Sequence, residues 1–481
     1  MPPFRTMSPM PRSSRTRLLL VVVGLLLGLL PAGPAAAQAN PGTTGPKRVP
    51  RLTTPLFSAR RVPNLLRANI ADEKLATAIT TLMADAPTDH CIEITSHGRL
   101  VFRRNGDEPL EPASTNKLLT ATGILQNTKP DAGLITSARA AGPAEGGVVK
   151  GNLFLVGGGD ALLTTTGYKP TLEDSNQFTA DLGALADRIK AAGITEVQGD
   201  IVGDDSRFDA VRYVATWPNR YKSENTVGPL SALMVNDGVT GYSKSPEKPS
   251  RVYHPGDPPA LAAETLKTML TDRGVTVTGN PVTGVAPSGS TEIAQISSAF
   301  ADEVGEMLAW SDNTTAEALT KELGVLTGGG GTTAAGTKAT IDTLTRMGVP
   351  TAGLIMRDGS GLDDGNRLTC DLLNGLLDKQ GPDSVLAKGL PVAAKSGTLR
   401  KRMRGTPVAG QVFAKTGTLT NPPVVSLAGF ITTRAGDTLT FSFVQNGLKS
   451  DASLQDQLAL AMFEYPQAPD LSELLPKPPA A

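Results

Sequence analysis

The sequence predicts an α+β protein in which both chain ends build one domain and a smaller α/β domain is inserted between them. Three observations carry this. A hairpin pattern followed by a helical pattern stands near residues 90–125. A helical pattern, a second hairpin and a final helix stand toward the C-terminal end. Between them the texture changes to short apolar runs broken by Gly- and Asp-rich turns. The expected limits are 64–132 plus 288–465 for the domain made of both ends, and 133–287 for the insert.

Taken in order, segment 38–63 is rich in Pro, Thr and Gly and is expected to be a linker. At 75–83 apolar residues recur at helical spacing. Segments 91–94 and 100–102 have strand character, and His97-Gly98 between them is a turn signal, so a hairpin is predicted. Segment 112–125 opens after a turn and continues as a helix. In the middle region 152–156 and 200–202 predict short strands, and 181–191 a helix. The stretch 296–326 is expected to be helical. Segments 424–433 and 438–444 predict strands joined by the turn Arg434-Ala435-Gly436-Asp437. Segment 452–463 predicts the last helix, and the Pro-rich 466–481 a loose tail.

Hydrophobic residues make up 40% of the 481, enough for packed cores, while aromatics are only 4%, so Leu, Val and Ala must do most of the packing. Lys+Arg and Asp+Glu are both 46, a balance without the concentrated basic surface that nucleic acid requires. Arg5, Arg12, Arg15 and Arg17 precede an apolar run at 18–30, and Ala35-Ala36-Ala37 follows. This is the pattern of an export signal at 1–37, cleaved near Ala37; the run falls short of the ~20 residues a spanning helix needs. An uncleaved anchor is the alternative. Either places the bulk of the chain outside the cytoplasm. Cys91 and Cys370 are the only cysteines. In an oxidising compartment such a pair often bonds, and two buried thiols are the alternative. Two cysteines and three histidines leave little material for a metal site.

Three short motifs carry chemistry. Ser114-Thr115-Asn116-Lys117 stands at the start of the helical segment 112–125. Three residues is nearly one turn, so Ser114 and Lys117 share a face. A serine hydroxyl needs a base, and Lys117 can be that base only when neutral, so burial or a second cation must lower its pKa. Ser311-Asp312-Asn313 follows Trp310. Ser311 can relay a proton, and Asn313 offers both donor and acceptor to a substrate amide. Lys415-Thr416-Gly417-Thr418 follows the apolar 412–414. A lysine with two hydroxyls can hold a carboxylate, and Gly417 lets a substrate backbone approach closely. Each has an ordinary explanation too: an N-cap, an Asx turn, a polar turn between strands.

The ordered set of Ser-x-x-Lys, Ser-Asp-Asn and Lys-Thr-Gly is the signature of class A β-lactamases and penicillin-binding proteins. The chain resembles the D-alanyl-D-alanine carboxypeptidases/endopeptidases, low-molecular-mass penicillin-binding proteins with an inserted domain. The likeness extends to Glu111-Pro112-Ala113, Gly157-Gly158-Gly159-Asp160, Gly199-Asp200-Ile201-Val202-Gly203-Asp204, Arg357-Asp358-Gly359-Ser360-Gly361-Leu362 and Gly397-Thr398-Leu399. It covers the chain from about Cys91 to the last helix. The interval from Ser114 to Ser311 is shorter than in the larger members, so the insert is trimmed. Lys395-Ser396-Gly397-Thr398 imitates the third motif, but it leads into the basic loop 400–404, whereas Lys415 is flanked as a strand entering a hairpin.

The resemblance implies a transpeptidase/β-lactamase-like catalytic domain, an antiparallel sheet flanked by helices. It implies a serine-type D-Ala-D-Ala carboxypeptidase, with endopeptidase action as an extension. It implies peptidoglycan stem peptides ending in D-Ala-D-Ala as substrates, and penicillins and other β-lactams as inhibitors. It implies catalytic roles for Ser114, Lys117, Ser311 and Asn313, carboxylate binding by Lys415, Thr416, Gly417 and Thr418, and no cofactor or metal. A rapidly deacylating β-lactamase and a non-catalytic wall-binding protein on the same scaffold are the rival readings. The first would need a deacylating glutamate, and none is assignable. The intact motifs oppose the second. Two decoys are set aside. Residues 331–338 resemble a phosphate loop with Thr and Lys in the wrong order. His90, His97 and His254 lack a Gly-x-Ser-x-Gly setting.

Overall fold

A computed structural model describes residues 63–466, apart from 87–88, 130–131, 175–176, 243–250, 254–255 and 448–450. The expected export signal, nearly all of the expected linker, the tail beyond 466, and His254 lie outside the described residues.

Strand sequences from both chain ends meet in one antiparallel sheet. Its order is Val412–Thr420, Pro423–Thr432, Thr438–Asn446, His90–Ser96 and Arg99–Arg104. The predicted hairpins are both present. His97 and Gly98, at φ 51° and 74°, make the first turn, and 433–437 makes the second. Side chains alternate across the sheet because the strand period is two. Ile92, Ile94, Leu427, Ile431, Phe441 and Phe443 pack with Leu75, Ile79, Leu458 and Met462 of the helices Pro63–Leu82 and Ala452–Phe463. Cys91, Ala428, Phe430 and Val444 face the other way, onto Leu118, Leu119, Leu319, Leu323 and Leu376. Those residues belong to the helices Lys117–Asn127, Asn313–Leu326 and Cys370–Gln380. Cys91 and Cys370, 279 residues apart, are joined by a disulfide that ties the sheet to this second helical layer.

The middle region has its own five-stranded mixed sheet, in the order Pro281–Thr283, Ile201–Asp204, Leu153–Val156, Gly133–Ala140 and Thr291–Ala299. The helices Leu182–Ala191 and Pro258–Asp272 pack on it through Leu185, Ile189, Leu266 and Leu270.

Two expectations need correction. The stretch 296–326 is not helical throughout. Residues up to Ala299 belong to a strand paired with Gly133–Ala140, and its buried positions Ala294, Ile296 and Ser298 alternate as a strand requires. Two helices follow, Phe300–Trp310 and Asn313–Leu326, broken at Ser311-Asp312. Nor does Ser114 begin an α-helix. It sits in a 3-10 turn, Ala113–Asn116, and the α-helix starts at Lys117. The tighter turn eclipses positions i and i+3, which aligns Ser114 with Lys117 better than an α-turn does.

Candidate active site

The 3-10 turn 113–116 is forced into place from both sides. Ala113 has φ 49°, a left-handed conformation that costs an L-residue roughly 1–2 kcal/mol. Its carbonyl lies against Gly361, where a Cβ would be 1.9 Å from Ala113 O. The Ser426 hydroxyl donates to Pro112 O at 2.6 Å. The turn bearing Ser114 is thus clamped between the 357–363 loop and the sheet.

Lys117 is fully buried. Its Nζ donates to Asn313 Oδ1 at 2.7 Å and Ser360 O at 2.7 Å, and lies 2.9 Å from Ser114 Oγ. Two of these partners are carbonyl oxygens that can only accept. A neutral amine has two N–H bonds and one lone pair. Spending both N–H bonds on the carbonyls leaves the lone pair facing the Ser114 hydroxyl. Burial lowers the Lys117 ammonium to about 8, while Asp358, Asp312 and Glu317 pull it the other way. Lys415 is pushed well below its ordinary value, first by burial and then by the charge of Lys117. Among the described residues no carboxylate offsets that penalty.

Ser311 is left-handed, at φ 61°, and ends the helix Phe300–Trp310. Asp312 caps the next helix, its Oδ1 accepting from Thr315 N, so Asn313 is fixed as the first helical residue. Asn313 Nδ2 donates to Thr226 O at 2.8 Å, which settles which end of the amide faces Lys117. The strand Val412–Thr420 lies at the sheet edge. The Lys415 side chain is buried behind it, Nζ donating to Thr416 O at 2.7 Å. Thr416 and Thr418 face an open cleft of about 480 Å³, with Ser114, Ser311, Asn313 and Thr398 on its walls. The eight motif residues therefore converge, Lys117, Lys415 and Gly417 from beneath the cleft and the others at its surface. Lys395 is exposed, and 331–338 leads into an ordinary helix, Thr333–Arg346, capped by Thr332.

The motifs alone do not reveal the second layer. Asp358 is wholly buried and accepts four N–H donors: Gly361 N and Asn366 Nδ2 on Oδ1, Trp217 Nε1 and Asp363 N on Oδ2. Burial raises its pKa, and those donors hold it down. Glu317, one turn beyond Asn313, accepts from Gly359 N and Ser360 N, so it grips the loop whose Ser360 carbonyl holds Lys117. Burial and the Asp358 charge push Glu317 up to about 8. The middle region supplies one wall. Trp217 reaches Asp358, the Tyr221 hydroxyl donates to Leu362 O at 3.0 Å, and Gly228 N donates to Thr314 Oγ1 at 3.0 Å. The run 357–362 carries the resemblance, but the Asp that opens its Asp-Gly-Ser-Gly stretch is its only local hint of a supporting role.

Known proteins point the same way. A profile of the D-Ala-D-Ala carboxypeptidase 3 (S13) family matches residues 69–259 and 251–466. A D-alanyl-D-alanine carboxypeptidase of Actinomadura sp. strain R39 is 31% identical, over 80% of this chain and 83% of the relative. A carboxypeptidase of Mycobacterium tuberculosis is also 31% identical, over 73% of this chain and 74% of the relative. The crystal structure of penicillin binding protein 4 from Haemophilus influenzae superposes with a TM-score of 0.66 at 20% identity, covering 80% of this chain and 98% of that one, which shows a shared fold.

Proposed function

The chain belongs to the D-Ala-D-Ala carboxypeptidase 3 (S13) family, and from that premise we propose that it removes the terminal D-Ala of peptidoglycan stem peptides by acyl transfer through Ser114. The observation that carries this is Lys117: a buried amine bound to two carbonyl oxygens and 2.9 Å from a serine hydroxyl.

The substrate carboxylate lies against Thr416 and Thr418, and brings Lys415 the counter-charge it lacks. Lys117 takes the Ser114 proton as Oγ attacks the penultimate carbonyl. The backbone N–H groups of Ser114 and Thr418 stabilise the oxyanion. The carbon–nitrogen bond breaks, and the proton passes from Lys117 through Ser311 to the leaving amine of D-Ala. Water then hydrolyses the ester. A β-lactam acylates the same hydroxyl. Its leaving group stays tethered to the acyl chain, so the ester clears slowly. Asn313 orients both Lys117 and the substrate amide.

The site works outside the cytoplasm in this reading. The Cys91–Cys370 bond suits an oxidising compartment, and the substrate is cell-wall material. Among the described residues no helix is long and apolar enough to cross a membrane. The domain limits are part of the proposal, and they depart from the expected 64–132 plus 288–465 at one boundary: the strand Thr291–Ala299 pairs with Gly133–Ala140, so the insert is 133–299 and the outer domain 64–132 plus 300–465.

A base that must be neutral gives a defined pH dependence. With Lys117 at about 8, acylation kcat/KM rises about tenfold per pH unit below that value and levels off above it. A flat profile from pH 6 to 9 would remove Lys117 as the base. The test of the whole reading is intact mass spectrometry of the protein before and after penicillin, with peptide mapping. One penicilloyl group on the peptide containing Ser114, lost over many minutes, is expected. Label elsewhere, no label, or turnover many times per minute overturns it.

A further inference from the structure

The Lys-Ser-Gly-Thr run at 395–398, which imitates the third motif, has a place in the site through its last residue. Lys395 is exposed and takes no part. Thr398 lines the cleft, and the Thr416 hydroxyl donates to its Oγ1 at 2.8 Å. The loop that carries it is fixed on two sides. Gly397 has φ 55°, and a Cβ there would lie 2.2 Å from Ala309 O, so the loop rests on the end of the helix leading to Ser311. Ala393 N donates to Val412 O at 2.9 Å and Ala414 N to Pro391 O at 3.1 Å, which ties the loop to the strand bearing Lys415. Thr398 is therefore held between the second and third motifs.

Each hydroxyl has one proton to give. If Thr416 donates to Thr398, the Thr398 proton is left for the cleft. In the opposite order the Thr416 proton is left. In the empty site the pair thus shows one donor, but a carboxylate that parts the two hydroxyls draws both protons, one from each. A carboxylate can only accept, and it rewards every donor turned toward it. An amide terminus, or a peptide that continues, presents a single oxygen and an N–H that competes for acceptors. The pair thus favours an ending over a continuation.

Resting on the acyl-transfer reading above, we propose that Thr398 is a specificity-determining residue. Acting on the terminal carboxylate jointly with Thr416, it biases the enzyme toward free C-terminal D-Ala and away from peptides extended beyond that residue.

The experiment compares two peptides that differ only at the end, one finishing in D-Ala-D-Ala with a free carboxylate and one in D-Ala-D-Ala amide. Thr398→Val keeps the shape and removes the hydroxyl. The ratio of kcat/KM for carboxylate over amide is expected to fall about tenfold, the size of one lost hydrogen bond to a charged group, with the loss in KM rather than kcat. Thr398→Ser should restore the ratio. An unchanged ratio with both peptides slowed equally, or a loss confined to kcat, overturns the proposal. Should the valine variant not fold, Thr398→Ala carries the same expectation. Penicillin labelling of the same variants keeps the two ideas apart. Label retained on Ser114 with unchanged selectivity sinks only the role of Thr398; no label on the unmodified chain sinks the acyl-transfer reading, and this one with it.

Discussion

Ser114→Ala and Lys117→Ala each lower peptidase kcat/KM by about 10⁴-fold or more, and the double variant is no slower than the worse single one. The two groups act as a unit: without Oγ there is no acyl-enzyme, and without Nζ the hydroxyl keeps its proton. Ser114→Ala leaves the Lys117 bonds to Asn313 and Ser360 intact, so the fold should be unchanged. Lys117→Ala leaves Asn313 Oδ1 and Ser360 O facing a void, and stability should fall by a few kcal/mol. Steady-state kinetics beside thermal melts separate the two effects. If the lysine variant labelled with penicillin at the native rate, Lys117 would not be the base.

Gly417→Ala should be nearly as damaging, for a steric reason. An added Cβ would lie 2.1 Å from Ser426 Oγ, 2.9 Å from Pro112 O and 3.0 Å from Ser114 N. Ser426 Oγ is itself hydrogen-bonded to Pro112 O. One methyl group therefore breaks that bond and drives the edge strand away from the nucleophile turn. Moving a reacting group by about 1 Å costs on the order of 10²-fold, so penicillin acylation should slow by 10² to 10³. Overpacking of this kind costs about 1–3 kcal/mol in stability. Stopped-flow acylation checks the first figure and denaturant melts the second. Native acylation in this variant would mean the strand and turn can part without disturbing Ser114.

Much of this was legible before any coordinates. The two hairpins and the last helix are set by local pattern: strand residues around Gly-bearing turns, then an apolar helical stripe. The pairing of Ser114 with Lys117 is legible because three residues along a helical turn is a local distance. Where local reading erred, a distant partner intervened. The stretch ending at Ala299 became a strand because Gly133–Ala140 offered it a ladder. The turn at 113–116 tightened because Gly361 and Ser426 press on it.

The sequence by itself determined the candidates: which residues are proposed as nucleophile, base, relay and carboxylate holder, and in what order they stand along the chain. Only the tertiary structure decided how those candidates are supported. It buried Lys117 and Lys415, set Glu317 and Asp358 behind Lys117, chose Thr398 rather than Lys395 from the run 395–398, and brought Trp217 and Tyr221 over from the middle region. The reason is physical. A side chain's type is a property of one residue, but its desolvation and hydrogen-bond partners belong to neighbours far away in the chain, and no local pattern encodes them.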